Sequence, residues 1–372
     1  MPLSIRALSL LALLTTLPAK AHDWQAPGKT LTLNGRALPL GDGRVSAAPR
    51  AGHVFACQTR FHGGGAQRKG PWIKADNTWD ETAKLHVLGQ VLWPQASFQA
   101  LTQNGQRQIS GNGLPVAAAT GIFPVAVSDP VYQIDRNPNA IHQQDFVWNL
   151  PLEPQAAADP ACLPMGPIGV ALNGVPIFNA LDDEGRDAVA HEVQDSCNGH
   201  PERAGRYHYH GPSPCMPGIK ENQRLVGYAL DGYGIYSLFD DNGRELKNSD
   251  LDACHGRVSR VLWNGRLVSI YHYVMTREFP YTLGCFRGSP VRAGATAKAG
   301  KADDAGSNHP PPSAMDAPSG RRHPPPEAMQ ACRARTAGST CSFTGRRGEA
   351  LEGSCQQLGE ALACVPAGTP RP

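Results

Sequence analysis

Ile168-Gly-Val-Ala-Leu-Asn173-Gly174-Val-Pro-Ile-Phe178 returns, fifty-eight positions on, as Val226-Gly-Tyr-Ala-Leu-Asp231-Gly232-Tyr-Gly-Ile-Tyr236. Each version sets Asn-Gly or Asp-Gly between apolar β-forming runs, the signal of a tight hairpin whose central residues need positive φ. Both continue to an acidic turn, at Asp182 to Arg186 and Asp240 to Arg244, then to Asp195-x-Cys197-x-Gly199 and Asp252-x-Cys254-x-Gly256, and both end in Tyr-His-Tyr, at 207–209 and 271–273. So ordered a self-match reads as an internal tandem duplication, about 168–215 and 226–288. The expected fold class is mainly β: a β-rich domain containing this duplication, plus a small disulfide-rich C-terminal module. The second copy has a longer spacer, Val261-Leu-Trp-Asn264-Gly265-Arg-Leu-Val268, which predicts an inserted hairpin.

Upstream, Asn34-Gly35 lies between two short alternating runs and predicts an opening hairpin over Leu31 to Leu38. From Cys57 to about Pro151 short β-like runs, such as Leu85–Leu88, Val91–Trp93 and Asp145–Trp148, are broken by turns like Gly63-Gly64-Gly65 and Asn137-Pro138, with no sustained helical period. At the N-terminus Arg6, an apolar run from Ala7 to Leu17 and Ala19-Lys20-Ala21 have the layout of a secretory signal, cleaved near Ala21. No other stretch approaches the roughly 18 apolar residues of a membrane span. The expected product is therefore soluble, without a transmembrane segment, and secreted or periplasmic. Downstream the expected boundaries are a linker at 293–328, with two His-Pro-Pro-Pro runs, and a module at 329–366 holding Cys332, Cys341, Cys355 and Cys364.

A net charge of +3 over 372 residues, with Lys and Arg scattered, excludes a nucleic-acid footprint and a polybasic membrane patch. Outside the cytoplasm the ten cysteines are expected in disulfides. Cys197 with Cys215 and Cys254 with Cys285 would staple equivalent loops of the two copies, leaving Cys57 for Cys162.

The stretch Asp195 to Cys215 concentrates the chemistry, with three histidines between two cysteines. Alternate side chains of a strand share a face, so His208 and His210 project together about 7 Å apart, with Tyr207 and Tyr209 opposite. His200 is a third candidate ligand and Asp195 a fourth ligand or an orienter of a histidine; such a set suits zinc or copper. The competing reading is a hydrogen-bonded polar cluster that pins a hairpin between disulfides. Arg257 and Val274 replace His200 and His210 in the second copy, which makes these two the better functional candidates. A second grouping would bring His208 to His272, with His255 nearby. Cleavage after Ala21 would also place His22 at a new N-terminus, where amine and imidazole can chelate copper.

No nucleophile elbow, His-Glu-x-x-His or phosphate loop occurs, so no catalytic residue is assigned and no nucleotide or organic cofactor is indicated. Asp182-Asp183 and Asp240-Asp241 are too short for a helix-loop-helix calcium loop and read as solvated turns.

Cys57-Gln-Thr-Arg-Phe, Gly-Pro-Trp72-Ile, Cys197-Asn-Gly-His200, Tyr207-His-Tyr-His210, Gly227-Tyr-Ala-Leu-Asp231-Gly232 and Phe279-Pro-Tyr281 together resemble the YHYH protein family. The resemblance runs roughly from Gly52 to Gly288, so the YHYH domain is set at 22–292. It implies an extracytoplasmic domain and brings no settled activity. The four-cysteine segment resembles a small module appended to bacterial secreted proteins. Two functions are expected: transition-metal binding through the histidine cluster, or a surface module that binds glycans or proteins through exposed tyrosines and the terminal module.

Overall fold

The computed structural model describes residues 24–293, 326–333, 335–344, 349–358 and 361–366. The signal segment, His22 and most of the linker lie outside the described residues. The chain divides into two compact units, Met1–Lys298 and Ala299–Pro372. Among the described residues no helix is long and apolar enough to cross a membrane.

In chain order the first unit contains β1 (Phe98–Gln103), β2 (Gln106–Gly111), β3 (Phe146–Pro151), β4 (Pro167–Ala171), β5 (Pro176–Phe178), the short helix α1 (Ala188–His191), β6 (Gly199–Pro201), β7 (Tyr207–Tyr209), β8 (Leu225–Ala229), β9 (Gly234–Tyr236), β10 (Gly256–Trp263) and β11 (Arg266–Val274). Eight strands form one sheet in the order β6-β7-β5-β4-β8-β9-β11-β10. Each half repeats the same pairings: β4 with β5 and β8 with β9 are antiparallel, β5 with β7 and β9 with β11 parallel, β6 with β7 and β10 with β11 antiparallel. The halves meet where β4 runs antiparallel to β8.

Nearly every residue of these two central strands is buried, which is why they read as continuous apolar runs. Glycine allows the close approach at the seam. A Cβ on Gly169 would stand 2.6 Å from the Tyr228 carbonyl oxygen, and one on Gly227 2.6 Å from that of Val170.

The repeated hairpins differ in one detail from expectation. Ala171 N–H donates to Val175 O and Gly174 N–H to Ala171 O, with only Gly174 at positive φ; Ala229, Tyr233 and Gly232 repeat this. These are three-residue loops in which the glycine takes the left-handed position. At Asn264-Gly265 both residues have positive φ, the two-residue turn the sequence predicts. The long spacer is therefore the β10–β11 hairpin itself, lengthened relative to β6–β7.

The opening hairpin at Asn34-Gly35 does not form. Its turn closes, with Ala37 N–H donating to Asn34 O, but Thr30 bridges Arg244 and the Thr32 and Leu33 amides donate to Glu245, while Leu38–Pro39 pairs with Thr78–Trp79. Distant partners outcompete the local one. Leu85–Leu88 and Val91–Trp93 form single bridges only, Val87 to Asp195 and Val91 to Thr120. The separate antiparallel sheet β1-β2-β3 meets the eight-stranded sheet through Arg107 of β2, held between the Tyr228 and Trp263 rings, 4.3 and 4.6 Å from their centroids.

Disulfides join Cys57–Cys162, Cys197–Cys215 and Cys254–Cys285, the pairings expected. In the second unit α2 (Pro326–Ala331) accompanies an antiparallel sheet of β12 (Thr340–Thr344), β13 (Ala350–Leu358) and β14 (Ala361–Pro366). Its buried core is Ala328, Ala363 and four cysteines, bonded as Cys332–Cys355 and Cys341–Cys364. The cross-links do what a short segment cannot do by apolar burial alone.

Candidate metal centre

The β6–β7 pair places His200 directly across from His208, and His210 follows β7 on the same face. All three imidazoles are buried. One nitrogen from each lies within 4.8 Å of the others, and His208 Nε2 stands 3.0 Å from His210 Nε2.

Their protonation is set from behind. His208 Nδ1 lies 3.0 Å from the Arg206 carbonyl and His210 Nδ1 2.5 Å from that of Asn179. A carbonyl accepts, so each Nδ1 carries the proton and each Nε2 presents a lone pair. Two lone pairs facing at 3.0 Å repel unless a cation, either a proton or a metal ion, lies between them. His200 lacks such an anchor: its Nδ1 faces the Asn137 amide nitrogen at 3.4 Å. The Phe178 ring stacks on His208 with centroids 3.9 Å apart, fixing its plane.

A fourth group completes the cluster. Glu192, which ends α1, brings Oε2 to 3.3 Å from both His200 Nε2 and His210 Nε2. Glu192 Oε2 and His200 Nε2 are buried with no hydrogen-bond partner. Metal–ligand bonds of 2.0–2.1 Å at tetrahedral angles put neighbouring donors roughly 3.3–3.4 Å apart. Three of the six edges, at 3.0, 3.3 and 3.3 Å, are close to that figure, and the three imidazole nitrogens all lie within 4.8 Å of one another.

Burial pushes the Glu192 carboxyl up to about 7, with His210 pulling it back. Burial and then the neighbouring imidazoles depress His200 and His208 well below the usual histidine range. Burial works in the same direction on His210, but Glu192 overcomes it and holds that imidazole above its ordinary value. Nearby, burial brings the Lys84 ammonium down to about 7, against Asp187, Glu192 and Asp135, which pull it upward. Its Nζ donates to the Val189 carbonyl and Gln194.

Asp195 stands apart from the cluster. Its oxygens accept from the Tyr207 hydroxyl and from the amides of Gly121, Cys197 and Gly199, and burial still pushes its carboxyl up to about 6. Asp252 repeats the pattern with Tyr271, Cys254 and Gly256. Tyr209 meets Asn173 as Tyr273 meets Asp231. The grouping of His208 with His272 and His255 does not form among the described residues. His272 Nδ1 faces the Ile270 carbonyl, and His255 Nε2 lies 2.9 Å from Thr276 Oγ1.

Glu192 is absent from the sequence-derived set. It sits beyond a four-residue helix too short to announce itself by periodicity. The signal available was position: an acidic residue between the acidic turn and Asp195, close in sequence to histidines found only in the first copy. None of the nine tyrosines is exposed, which removes the exposed tyrosines expected for a surface-binding module. In the second unit the sulfurs of Cys332, Cys341 and Cys355 also lie together, but each is committed to a disulfide.

Fold and site thus define a mainly β, disulfide-stapled protein with a buried His₃Glu cluster at one strand pair. The family described as YHYH protein matches residues 147–245, so a YHYH domain is present, centred on the half that carries the cluster. Comparisons with curated proteins and with solved structures found no match.

Proposed function

We propose that this protein binds one transition-metal ion, zinc or copper, through His200, His208, His210 and Glu192. The observation that carries this reading is the convergence of one nitrogen from each of three buried imidazoles within 4.8 Å, with the Glu192 Oε2 carboxylate oxygen 3.3 Å from two of them. Imidazole and carboxylate donors without thiolate suit Zn²⁺ or Cu²⁺ rather than Cu⁺. The ion would supply the positive charge that facing lone pairs and a buried carboxylate require, joining α1, β6 and β7. The five disulfides support an oxidising compartment outside the cytoplasm, where the protein would hold or hand over metal. The matching pairings of the two halves support descent from one duplicated unit, of which only the first half keeps the ligands.

The test is metal content after purification from the exporting compartment, with thermal unfolding before and after adding each ion. One equivalent of zinc or copper is expected, lost in the double variant His208→Ala, His210→Ala, with affinity lowered on the order of 10–100-fold or more in Glu192→Gln. Substoichiometric metal and no stabilisation by either ion would sink the reading.

A further inference from the structure

Gly63, Gly64 and Gly65 all have positive φ, +83°, +146° and +73°, and all three are exposed. This strap lies on the acidic turn of the first half. Gly63 N–H donates to Asp183 O, and Arg186, paired to Asp182, donates to the carbonyls of Gly64 and Ala66. A Cβ on Gly65 would stand 3.1 Å from both Asp182 Oδ2 and Glu192 Oε1; one on Gly64 would stand 2.9 Å from Asp183 Cβ.

The other oxygen of Glu192, buried and without a hydrogen-bond partner, faces His200 and His210. On this side the exposed Gly65 packs directly against the inner carboxylate. Three carboxylates follow one another inward: Asp183 exposed, Asp182 buried, Glu192 at the cluster. In the second half the corresponding acidic turn is covered differently, by the segment around Gly28, whose carbonyl oxygen is 2.6 Å from a Cβ on Gly243, and Thr30, which bridges Arg244.

We infer that the Gly63–Gly65 strap is the passage for a divalent cation entering and leaving the His₃Glu cluster. The exposed Asp183 draws the hydrated ion to the surface, and the strap, which closes over Asp182 and Glu192 with no room for a Cβ, swings aside to admit it, a movement its missing side chains leave unhindered. Displacing the strap breaks the Gly63 hydrogen bond to Asp183 and the Arg186 hydrogen bond to Gly64. This inference rests on the metal-binding reading, and the experiment separates the two.

The full chain is loaded with zinc, and the time course of zinc transfer to excess EDTA is followed for wild type, Gly65→Ala, Arg186→Gln and the hairpin-tip variant Gly105→Ala. Gly105 shares a positive φ of +70° with nothing near its Cβ position, so it controls for backbone strain alone. Gly65→Ala is expected to slow release at least tenfold at unchanged stoichiometry, Arg186→Gln to hasten it, and Gly105→Ala to match wild type. If Gly65→Ala does not fold, Arg186→Gln alone decides. Zinc uptake with release rates within twofold of wild type in both strap variants overturns the passage and leaves the metal site standing; a wild type that takes up no zinc overturns the metal site itself.

Discussion

At single residues the two halves differ by substitutions whose consequences can be measured. His255 occupies the position that Asn198 holds in the first half, and both have positive φ, 70° and 57°. Burial drives the His255 imidazole down to about 3, against about 6.5 in an unfolded chain. Between those values the unfolded state binds the extra proton, so stability rises with pH there. The contribution of neutral His255 is full above about pH 6.5 and is lost as pH falls toward 3. Asparagine does not titrate and accepts the left-handed backbone. His255→Asn should therefore gain on the wild type as pH drops from 7 to 4, read as a shift in urea midpoints. Parallel pH profiles for the two proteins would contradict the assignment of acid sensitivity to this residue. The same scale shows what sequence conveys about a site. His208 and His210 are legible from strand alternation, and His200 and His210 from their absence in the second copy. Glu192 is not, since its approach depends on where a four-residue helix ends.

At the level of elements, each β-pair beside an Asp-x-Cys-x-Gly turn is built around a tyrosine lying over a glycine. A Cβ on Gly199 would fall 2.2 Å from the Tyr207 ring and one on Gly256 2.2 Å from the Tyr271 hydroxyl. Those tyrosines donate to Asp195 and Asp252, so ring, glycine and aspartate form one unit in each half. Gly199→Ala and Gly256→Ala should each destabilise by about 1–3 kcal/mol through overpacking. Gly199→Ala should also disturb metal uptake, because His200 is the next residue. Denaturant unfolding with both variants within about 0.5 kcal/mol of wild type would show that the rings can move aside. Elements also mark where local patterns mislead. Asn34-Gly35 makes its turn but not its hairpin, because Glu245 and the Thr78–Trp79 strand take up the flanking backbone. The Asn104-Gly105 turn, with the same dipeptide, does join β1 to β2; what flanks each turn in space, not the dipeptide, separates the cases.

Across the molecule, covalent links tie an irregular N-terminal body to the sheet. Cys57–Cys162 closes a loop of 105 residues and Cys197–Cys215 one of 18. Loop-closure entropy assigns roughly 4–5 kcal/mol to the first and about 3 kcal/mol to the second. Removing Cys57–Cys162 by paired serine substitution should lower stability more than removing Cys197–Cys215, as measured by chemical unfolding of the oxidised proteins; the reverse order would mean that the smaller loop carries structural work beyond entropy. The β class and the pairings Cys197–Cys215 and Cys254–Cys285 could be read from repeated local patterns, and Cys57–Cys162 from what they leave over. The eight-strand order could not, since parallel contacts such as β5 to β7 join segments separated by the whole acidic turn and α1.

The seam between β4 and β8 carries a last consequence. Its strands run antiparallel, each is flanked by the same succession of neighbours, and each contributes a glycine at the point of closest approach. Such an interface is isologous: whatever one side offers, the other accepts. A shorter chain with only one half could close the same contact against its own twin, giving a homodimer with two equivalent clusters. In the single chain the two sides of the seam are not identical: the second half carries the longer edge hairpin, β10–β11, and has Arg257 and Val274 where the first has His200 and His210.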